Sequence, residues 1–216
     1  PANSKMIGND IPKGAFTKGQ ELVLKTIAII VSLIAWIWAF VLLAQSDVHP
    51  AYFVAGHVMA GLACICTSLI ALVATIARQI RNVYTDKERK QWPKLVLLMG
   101  TISLLWGLFV IFADSSSTNG VIGYIMIGLG LVCYSISSKV ILLAKIWGRE
   151  FALANRIPLI PVLTALACLF LASFAFELGT THDDYFIPAR VLAGLGAICF
   201  TLFSIVSILE SGTSSK

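Results

Sequence analysis

Charged side chains are scarce in this sequence of 216 residues. Asp, Glu, Lys and Arg make up 12% of the chain, about half the fraction in a typical soluble domain, whereas 58% of its residues are apolar. Six apolar runs are long enough to cross a bilayer as helices, which takes about 20 residues each. Because these runs are continuous and do not alternate with polar residues, they exclude a β-barrel. We predict an all-α membrane protein with six transmembrane helices, near Leu22–Leu43, Tyr52–Ile76, Leu95–Ala113, Val121–Lys145, Ile157–Leu178 and Phe186–Leu209.

Motifs that carry chemistry are also lacking. The sequence has no phosphate-binding loop, zinc-protease signature or nucleophile elbow. The central thickness of the six predicted helices has none of the carboxylates that a proton-coupled pump usually needs. The five cysteines all fall within predicted spans, which favours apolar packing over a disulfide or a thiolate metal site. We therefore predict that the protein is not an enzyme and has no cofactor and no metal site.

The net charge of +5 does not indicate a nucleic-acid partner, because the basic residues mark membrane topology. Three short acidic loops lie near Asp47, Asp114 and Asp183, away from almost every basic residue. We predict that both termini and the two basic loops are cytoplasmic. The basic residues that support this orientation are Lys5, Lys13, Lys18, Lys25, Arg78, Arg81, Lys87, Arg89, Lys90, Lys94, Lys145, Arg149 and Arg156.

One short pattern occurs three times. "GLACIC" starts at Gly61, "GLGLVC" at Gly128 and "GLGAIC" at Gly194, with spacings of 67 and 66 residues. Such a period predicts three tandem helical hairpins in the same orientation, covering about residues 22–77, 93–146 and 157–210. They form a six-helix transmembrane domain over residues 21–210. Residues 1–20 are predicted to be a polar cytoplasmic tail or linker, and residues 211–216 a cytoplasmic C-terminal tail.

The second helix of each hairpin carries a stripe of matching residues. At about 100° per residue, positions i, i+4, i+7 and i+11 share one face. Each stripe has a polar group, then a glycine suited to close helix packing, then a hydroxyl that can bond to its own helix or to a neighbour. A packed seam with no other role is an equally good interpretation. The stripes contain His57, Gly61 and Ser68; Tyr124, Gly128 and Ser135; and Arg190, Gly194 and Thr201.

The polar members of the stripes form a candidate outward-facing row. His57, Tyr124 and Arg190 each lie about one and a half turns inside the outer boundary, where an ionisable group normally faces protein or water. If the three stripes face one another, these side chains form a ring. Glu177 is the candidate ion-pair partner of Arg190, in a salt bridge that is as well explained by structure as by function.

The three histidines all lie near the predicted outer end of the protein, among acidic residues. An unperturbed histidine titrates at a pKa of about 6.5, so this face could change charge in acid. Chance clustering in short polar loops is the alternative. The candidate pH-responsive residues, besides His57, are His49, His182, Asp47, Asp183 and Asp184.

Several long segments resemble the YhiM family of enterobacterial inner-membrane proteins. They are "YFVAGHV", "LVATIARQIRN", "MIGLGLVCYSISSKVILLA", "LANRIPLIPV" and "YFIPARVLAGLGAICFTLFSIVSILE". The resemblance implies a multi-pass protein of the bacterial inner membrane that is linked to survival and growth at low pH. It also implies that this chain is the C-terminal part of a longer one with further hairpins. The third hairpin has Arg190 where other copies have the histidine of "AGHV", so that histidine is not a fixed element.

Together these observations lead to two hypotheses of different classes. In the first, the protein supports survival at low pH as a sensor of external acidity or as a passage for a small solute. In the alternative, it is a structural or assembly scaffold of a membrane complex without transport activity. The expected partners are the lipid bilayer and either N-terminal repeats of a longer chain or further copies in a homo-oligomer.

Overall fold

The structure, a computed structural model, describes residues 18–80, 83, 85–146 and 159–199. Within this part the fold is helical and contains no strand, which confirms the all-α class. One turn of 3-10 helix, Asp183–Tyr185, precedes the last helix. The helices are α1, Lys18–Ala44; α2, Pro50–Ile80; α3, Asp86–Ala113; α4, Ser117–Ile146; α5, Leu159–Gly179; and α6, residues 186–199.

Five of these helices, α1 to α5, are long and apolar enough to cross a membrane. Large apolar side chains cover their outward surfaces; Phe112, Phe170 and Leu22 are among the most exposed. Water would make such a surface unfavourable, whereas lipid solvates it. The fold is therefore that of a protein whose outside faces acyl chains.

Helix α4 is the centre of the fold and the most buried of the five. It contacts α3 along its length and also touches α2 and α5, while α1 packs mainly on α2. The main hydrophobic cluster has α4 residues such as Ile125, Val132 and Ile136 at its centre. We call the side of the bundle with residues 45–49, 114–116 and 180–185 the hairpin-loop end.

Two pairs of glycines hold α3 and α4 close together. A Cβ atom at Gly107 would lie 2.8 Å from the carbonyl oxygen of Gly123, and one at Gly130 would lie 2.9 Å from that of Gly100. In lipid, helices associate by close packing, which small residues permit. The glycines are seven residues apart on both helices, so both contacts fall on one straight seam.

The connection between α2 and α3 is shorter than the basic loop expected from the sequence. Helix α2 continues to Ile80, and α3 already begins at Asp86, seven residues before Pro93. Thr85 starts α3 with a capping box, in which its hydroxyl accepts from the Glu88 N–H and its own N–H donates to the Glu88 carboxylate. These two bonds satisfy N–H groups at the helix start, which explains why the helix begins in a charged segment.

Several predictions concern residues outside the described ones. These are the polar tail up to residue 17, the second basic loop and the start of the third hairpin at 147–158, the end of that hairpin at 200–210, and the C-terminal tail 211–216. Lys18, predicted to belong to the tail, is the first residue of α1. The tandem repeat of three hairpins stays a prediction at this point.

Candidate functional site

His57 lies on α2 against Trp106 of α3 and is only 6% exposed. Its Nδ1 is 2.7 Å from the carbonyl oxygen of Phe53, one turn earlier on α2. Since a carbonyl can only accept, we assign the proton of the neutral ring to Nδ1. The ring also meets Phe53 edge-on, with 4.5 Å between centroids, and Trp106 of α3 at 5.9 Å. His57 is thus a titratable group held by aromatic side chains from two helices.

Tyr124 lies on α4 in a second aromatic cluster at the hairpin-loop end. Its ring centroid is 6.4 Å from that of Phe174 on α5 and 6.1 Å from that of Tyr185. The Tyr185 hydroxyl reaches Gly120, where no side chain larger than hydrogen would fit without a shift. Tyr124 is half-buried. Its contact with Tyr185 joins α4 to the segment that precedes α6.

Arg190 is exposed on α6, and within the described residues it makes no ion pair, with Glu177 or with any other carboxylate. Glu177 is itself exposed on α5. The packing of α6 explains the separation. Its Gly196 lies against Ala165 and Leu169 of α5, and Arg190 is about 120° round the helix from that contact at 100° per residue.

The three members of the predicted polar row therefore do not meet in the described part of the molecule. His57 is covered by α3, Tyr124 is covered by α5 and Tyr185, and Arg190 lies on an exposed face. The stripe pattern identified one face on each of three helices. It did not determine which element covers each face.

The three glycines of the stripes also differ in their surroundings. Gly61 lies against α4, where its Cβ position would be 3.0 Å from Met126 Sδ and 3.3 Å from Leu129 Cβ. Gly128 lies against α6 in the same way. Its Cβ position would be 2.7 Å from methyl groups of both Leu192 and Leu195. At Gly194 no described atom lies within 4 Å.

The hydroxyls of the stripes lie at helix contacts where the structure describes them. Ser68 donates to the Cys64 carbonyl at 2.8 Å and lies next to the Cys133 thiol of α4. Ser135 lies 2.5 Å from the Thr164 hydroxyl of α5 and next to the Cys199 thiol of α6. Thr201 lies outside the described residues.

The remaining candidate pH-responsive residues are all exposed at the hairpin-loop end. The ring of His49 lies 4.9 Å from that of Tyr52, and the ring of His182 lies 6.4 Å from that of Tyr185. Asp184 accepts a hydrogen bond from the Ser117 hydroxyl at 3.0 Å, which joins the last loop to the start of α4. Asp47 and Asp183 are exposed as well. Of the three histidines, His57 is the buried one.

An ion-pair network at the other end was missed by the sequence analysis. Arg78 of α2 binds Glu88 of α3 with an Nη2–carboxylate distance of 2.7 Å and lies 3.7 Å from the buried Glu21 of α1. Glu21 is also paired with Lys25, one turn further along α1. The signals were present as a Glu–Lys pair at i, i+4 and a Thr-x-x-Glu capping box. These basic residues were interpreted only as topology markers.

Polar contacts within the hairpins were also missed. Thr67 of α2 donates to the Ala63 carbonyl and accepts from Trp36 Nε1 at 3.1 Å, and its oxygen lies 2.8 Å from the Ser32 hydroxyl. In the next hairpin Tyr134 lies 2.7 Å from Thr101. Each hydroxyl therefore finds its partner inside the bundle, as lipid requires.

Among the residues that the structure describes, no three His, Cys, Asp or Glu side chains are grouped so that they could hold a metal ion. What the arrangement offers chemically is one buried imidazole, one exposed guanidinium and several satisfied hydroxyls. Such groups can exchange a proton or bind a charged partner.

Comparison with known proteins adds the following. A family model described as "Protein of unknown function (DUF2776)" matches residues 1–214. The chain is 49% identical over 215 residues to a curated protein, "Inner membrane protein YhiM" of Escherichia coli (strain K12). The alignment covers 100% of this chain and 61% of that protein, so the chain spans about three fifths of its relative's length. These matches confirm the resemblance predicted from the sequence. No solved structure matches the chain significantly.

Proposed function

This chain belongs to the DUF2776 family, and we propose that it is a multi-pass protein of the bacterial inner membrane. In this proposal it supports survival at low external pH by sensing acidity. His57 is the proposed sensor. The protein acts without catalysis in this proposal. The inner-membrane location is supported by the name of the relative, an inner membrane protein, and by the five membrane-length helices.

The single observation that carries the proposal is the packing of His57. It is a buried ionisable side chain of α2, and its ring lies against Phe53 of the same helix and Trp106 of α3. A histidine that lined an aqueous passage would be expected to face open space. His57 instead has a position from which its protonation state can alter helix packing.

Protonation would place a positive charge at this buried position on α2. In the neutral ring Nδ1 donates to the Phe53 carbonyl, so the added proton goes to Nε2. Burying a charge is unfavourable unless it is paired or solvated. The described contacts of His57 are a carbonyl, Phe53 and Trp106, and no carboxylate lies among them. Acid would therefore weaken the contact between α2 and α3 and favour an arrangement in which the ring reaches water.

The proposed architecture is three tandem hairpins in one orientation, with cytoplasmic termini and the hairpin-loop end facing outward. Matching contacts support the repeat. Gly61 meets Met126 and Leu129, and Gly128 meets Leu192 and Leu195, the residues 66 positions further on. The distribution of basic residues supports the orientation. With this topology His57 lies near the outer surface, where external acid reaches it first.

A scaffold without transport activity is the second candidate. It is favoured by the close glycine contacts of Gly61 and Gly128 and by the internal hydrogen bonds of the stripe hydroxyls, which are what a packed seam requires. In this case His57 would serve packing alone.

Two substitutions separate the candidates. His57→Asn keeps a side-chain N–H near the Nδ1 position but cannot take up a proton as an imidazole can. His57→Ala loses both the donor and the ring. The exposed His49→Asn is the matched control. Each variant would be produced in a strain that lacks the gene, and survival in acidified medium would be compared at equal membrane abundance.

For a sensor, both His57 variants lose acid survival, and His49→Asn keeps it. If His57→Asn protects cells as well as the wild type does, titration of His57 is not required and the sensor proposal is wrong. Loss in His57→Ala together with full protection by His57→Asn would favour the packing role.

A further inference from the structure

A row of three lysines lies on the outward face of α3, at the end of the bundle opposite the hairpin-loop end. Lys87, Lys90 and Lys94 are all exposed. Their spacing of three and four residues places them within about 60° of one another round the helix. The seam with α4 is on the other side of α3, because Gly100 and Gly107 lie about 140° and 160° from Lys87. The lysine row therefore points away from the bundle.

The charge of the lysine row is not balanced by the protein that the structure describes. Three other basic side chains at this end, Lys25, Arg78 and Arg89, each form an ion pair with a carboxylate of α1 or α3. The lysines of the row form none within the described residues. Asp86, one turn before Lys90, is bound instead by Arg89 at 2.9 Å. Three positive charges on one helix face are therefore left for a partner outside the bundle.

The same face of α3 continues as an apolar surface suited to acyl chains. Leu98, Leu105 and Phe112 lie within about 20° of Lys87 round the helix. All three side chains are more than half exposed. From Lys94 to Phe112 the helix rises about 27 Å, close to the roughly 30 Å thickness of the hydrocarbon core. The lysine row therefore lies at the level of the headgroups of one leaflet, directly above a lipid-facing surface.

Trp92 gives an independent indication of this level. It lies between Lys90 and Lys94 in the sequence and is half-buried against the main hydrophobic cluster. Tryptophan is enriched where acyl chains meet headgroups, because its ring is apolar and its N–H is polar. Its position agrees with the level obtained from the length of the apolar face.

We infer that the lysine row binds an anionic phospholipid, with the lipid phosphate against the ammonium groups and the acyl chains along Leu98 and Leu105. Charge complementarity selects this class of lipid, because a zwitterionic headgroup carries a cation beside its phosphate. Each basic side chain near a membrane surface strengthens binding to anionic lipid about fivefold. The inference requires only the membrane-spanning fold. It is independent of the acid response and of which end of the bundle is cytoplasmic.

Quenching of a single tryptophan by brominated lipids measures lipid preference at this site. The five native tryptophans would be replaced by phenylalanine, and Leu98→Trp would report from one turn beyond Lys94. Phe112→Trp is the matched control, because it lies on the same face about 21 Å further along α3, in the other leaflet. Each protein would be reconstituted in mixtures of phosphatidylglycerol and phosphatidylcholine, with bromine on one lipid or on the other.

At Leu98→Trp we expect phosphatidylglycerol to be preferred by at least about fivefold, with little preference at Phe112→Trp. Neutralising the row with Lys87→Gln, Lys90→Gln and Lys94→Gln should abolish the preference, whereas changing the same three lysines to arginine should retain it. Equal binding of the two lipids at Leu98→Trp, or a preference that survives in the triple Lys→Gln variant, overturns the inference. Absence of quenching by either lipid overturns it as well, because protein would then cover this face.

Native mass spectrometry of the protein with its own tryptophans provides a second measurement. In detergent with equal amounts of the two lipids, the wild type should retain phosphatidylglycerol, and Lys90→Gln should weaken this binding about fivefold. Arg190→Gln removes one exposed charge near the hairpin-loop end and should leave the binding unchanged. Equal losses in these two variants would indicate an effect of net charge alone and contradict the site. Inorganic phosphate should displace no more lipid than chloride of the same ionic strength. Specific displacement by phosphate would assign the row to the free anion and overturn the inference.

Discussion

The seam between α3 and α4 makes a quantitative prediction for Gly107→Ala. The added Cβ would lie 2.8 Å from the Gly123 carbonyl oxygen and 3.0 Å from the backbone nitrogen of Ile127. Ordinary contact begins at 3.4 Å, so the seam must open by about 0.6 Å, the difference between 3.4 and 2.8 Å. Both opposing atoms belong to the backbone, and so no side chain can rotate away. Overpacking of this kind costs about 1–3 kcal/mol.

Thermal unfolding of the purified protein in detergent would measure this loss. For a chain of this length, about 1 kcal/mol corresponds to roughly 2–4 °C, so the overpacking by itself should lower Tm by about 2–12 °C. Gly194→Ala is the matched control. It makes the same chemical change at a position where no described atom lies within 4 Å. In both variants the better helix propensity of alanine contributes at most about 1 kcal/mol of stability. Equal Tm values for the two variants would refute the close approach of α3 and α4.

Two further experiments test other contacts of the bundle. Ser135→Ala removes the hydrogen bond to Thr164 between α4 and α5 and should destabilise the protein by about 1 kcal/mol in the same unfolding assay. The control Ser173→Ala loses only a hydrogen bond to its own helix and should leave Tm unchanged. A double-mutant cycle of Arg78→Ala with Glu88→Ala should give a coupling free energy of about 1 kcal/mol. This coupling should decrease with salt because the pair is partly exposed. Zero coupling would contradict the network.

The helical class and the positions of the membrane-length helices could be predicted from the sequence because lipid requires long continuous apolar segments. The ends of α2 and α3 could not. Hydropathy marks the apolar run and not the helix, and α3 extends into a charged segment because Thr85 and Glu88 cap it. Residue composition in that segment indicated a loop, whereas the local hydrogen bonds decide its conformation.

The stripes illustrate a different limit. Helical periodicity places His57, Gly61 and Ser68 on one face correctly, since that depends only on the geometry of a single helix. Which element covers the face depends on packing between helices, which periodicity does not contain. His57 therefore lies under Trp106 and not opposite Arg190, and the ion pair of Arg190 with Glu177 is absent from the described residues. The glycine pairs of the α3–α4 seam were in the sequence at equal spacing, but only the structure shows that they face each other.

Trp106 of α3 reports directly on the charge of His57, because the two rings are in contact with 5.9 Å between their centroids. In a variant whose only tryptophan is Trp106, with the other four replaced by phenylalanine, emission would be followed in proteoliposomes while the external pH is lowered. A protonated imidazole in contact with an indole quenches its fluorescence, and movement of α3 would shift the emission further. The account predicts an acid-dependent change with His57 present and none with His57→Asn. The same change in both proteins, or no change in either, would contradict it.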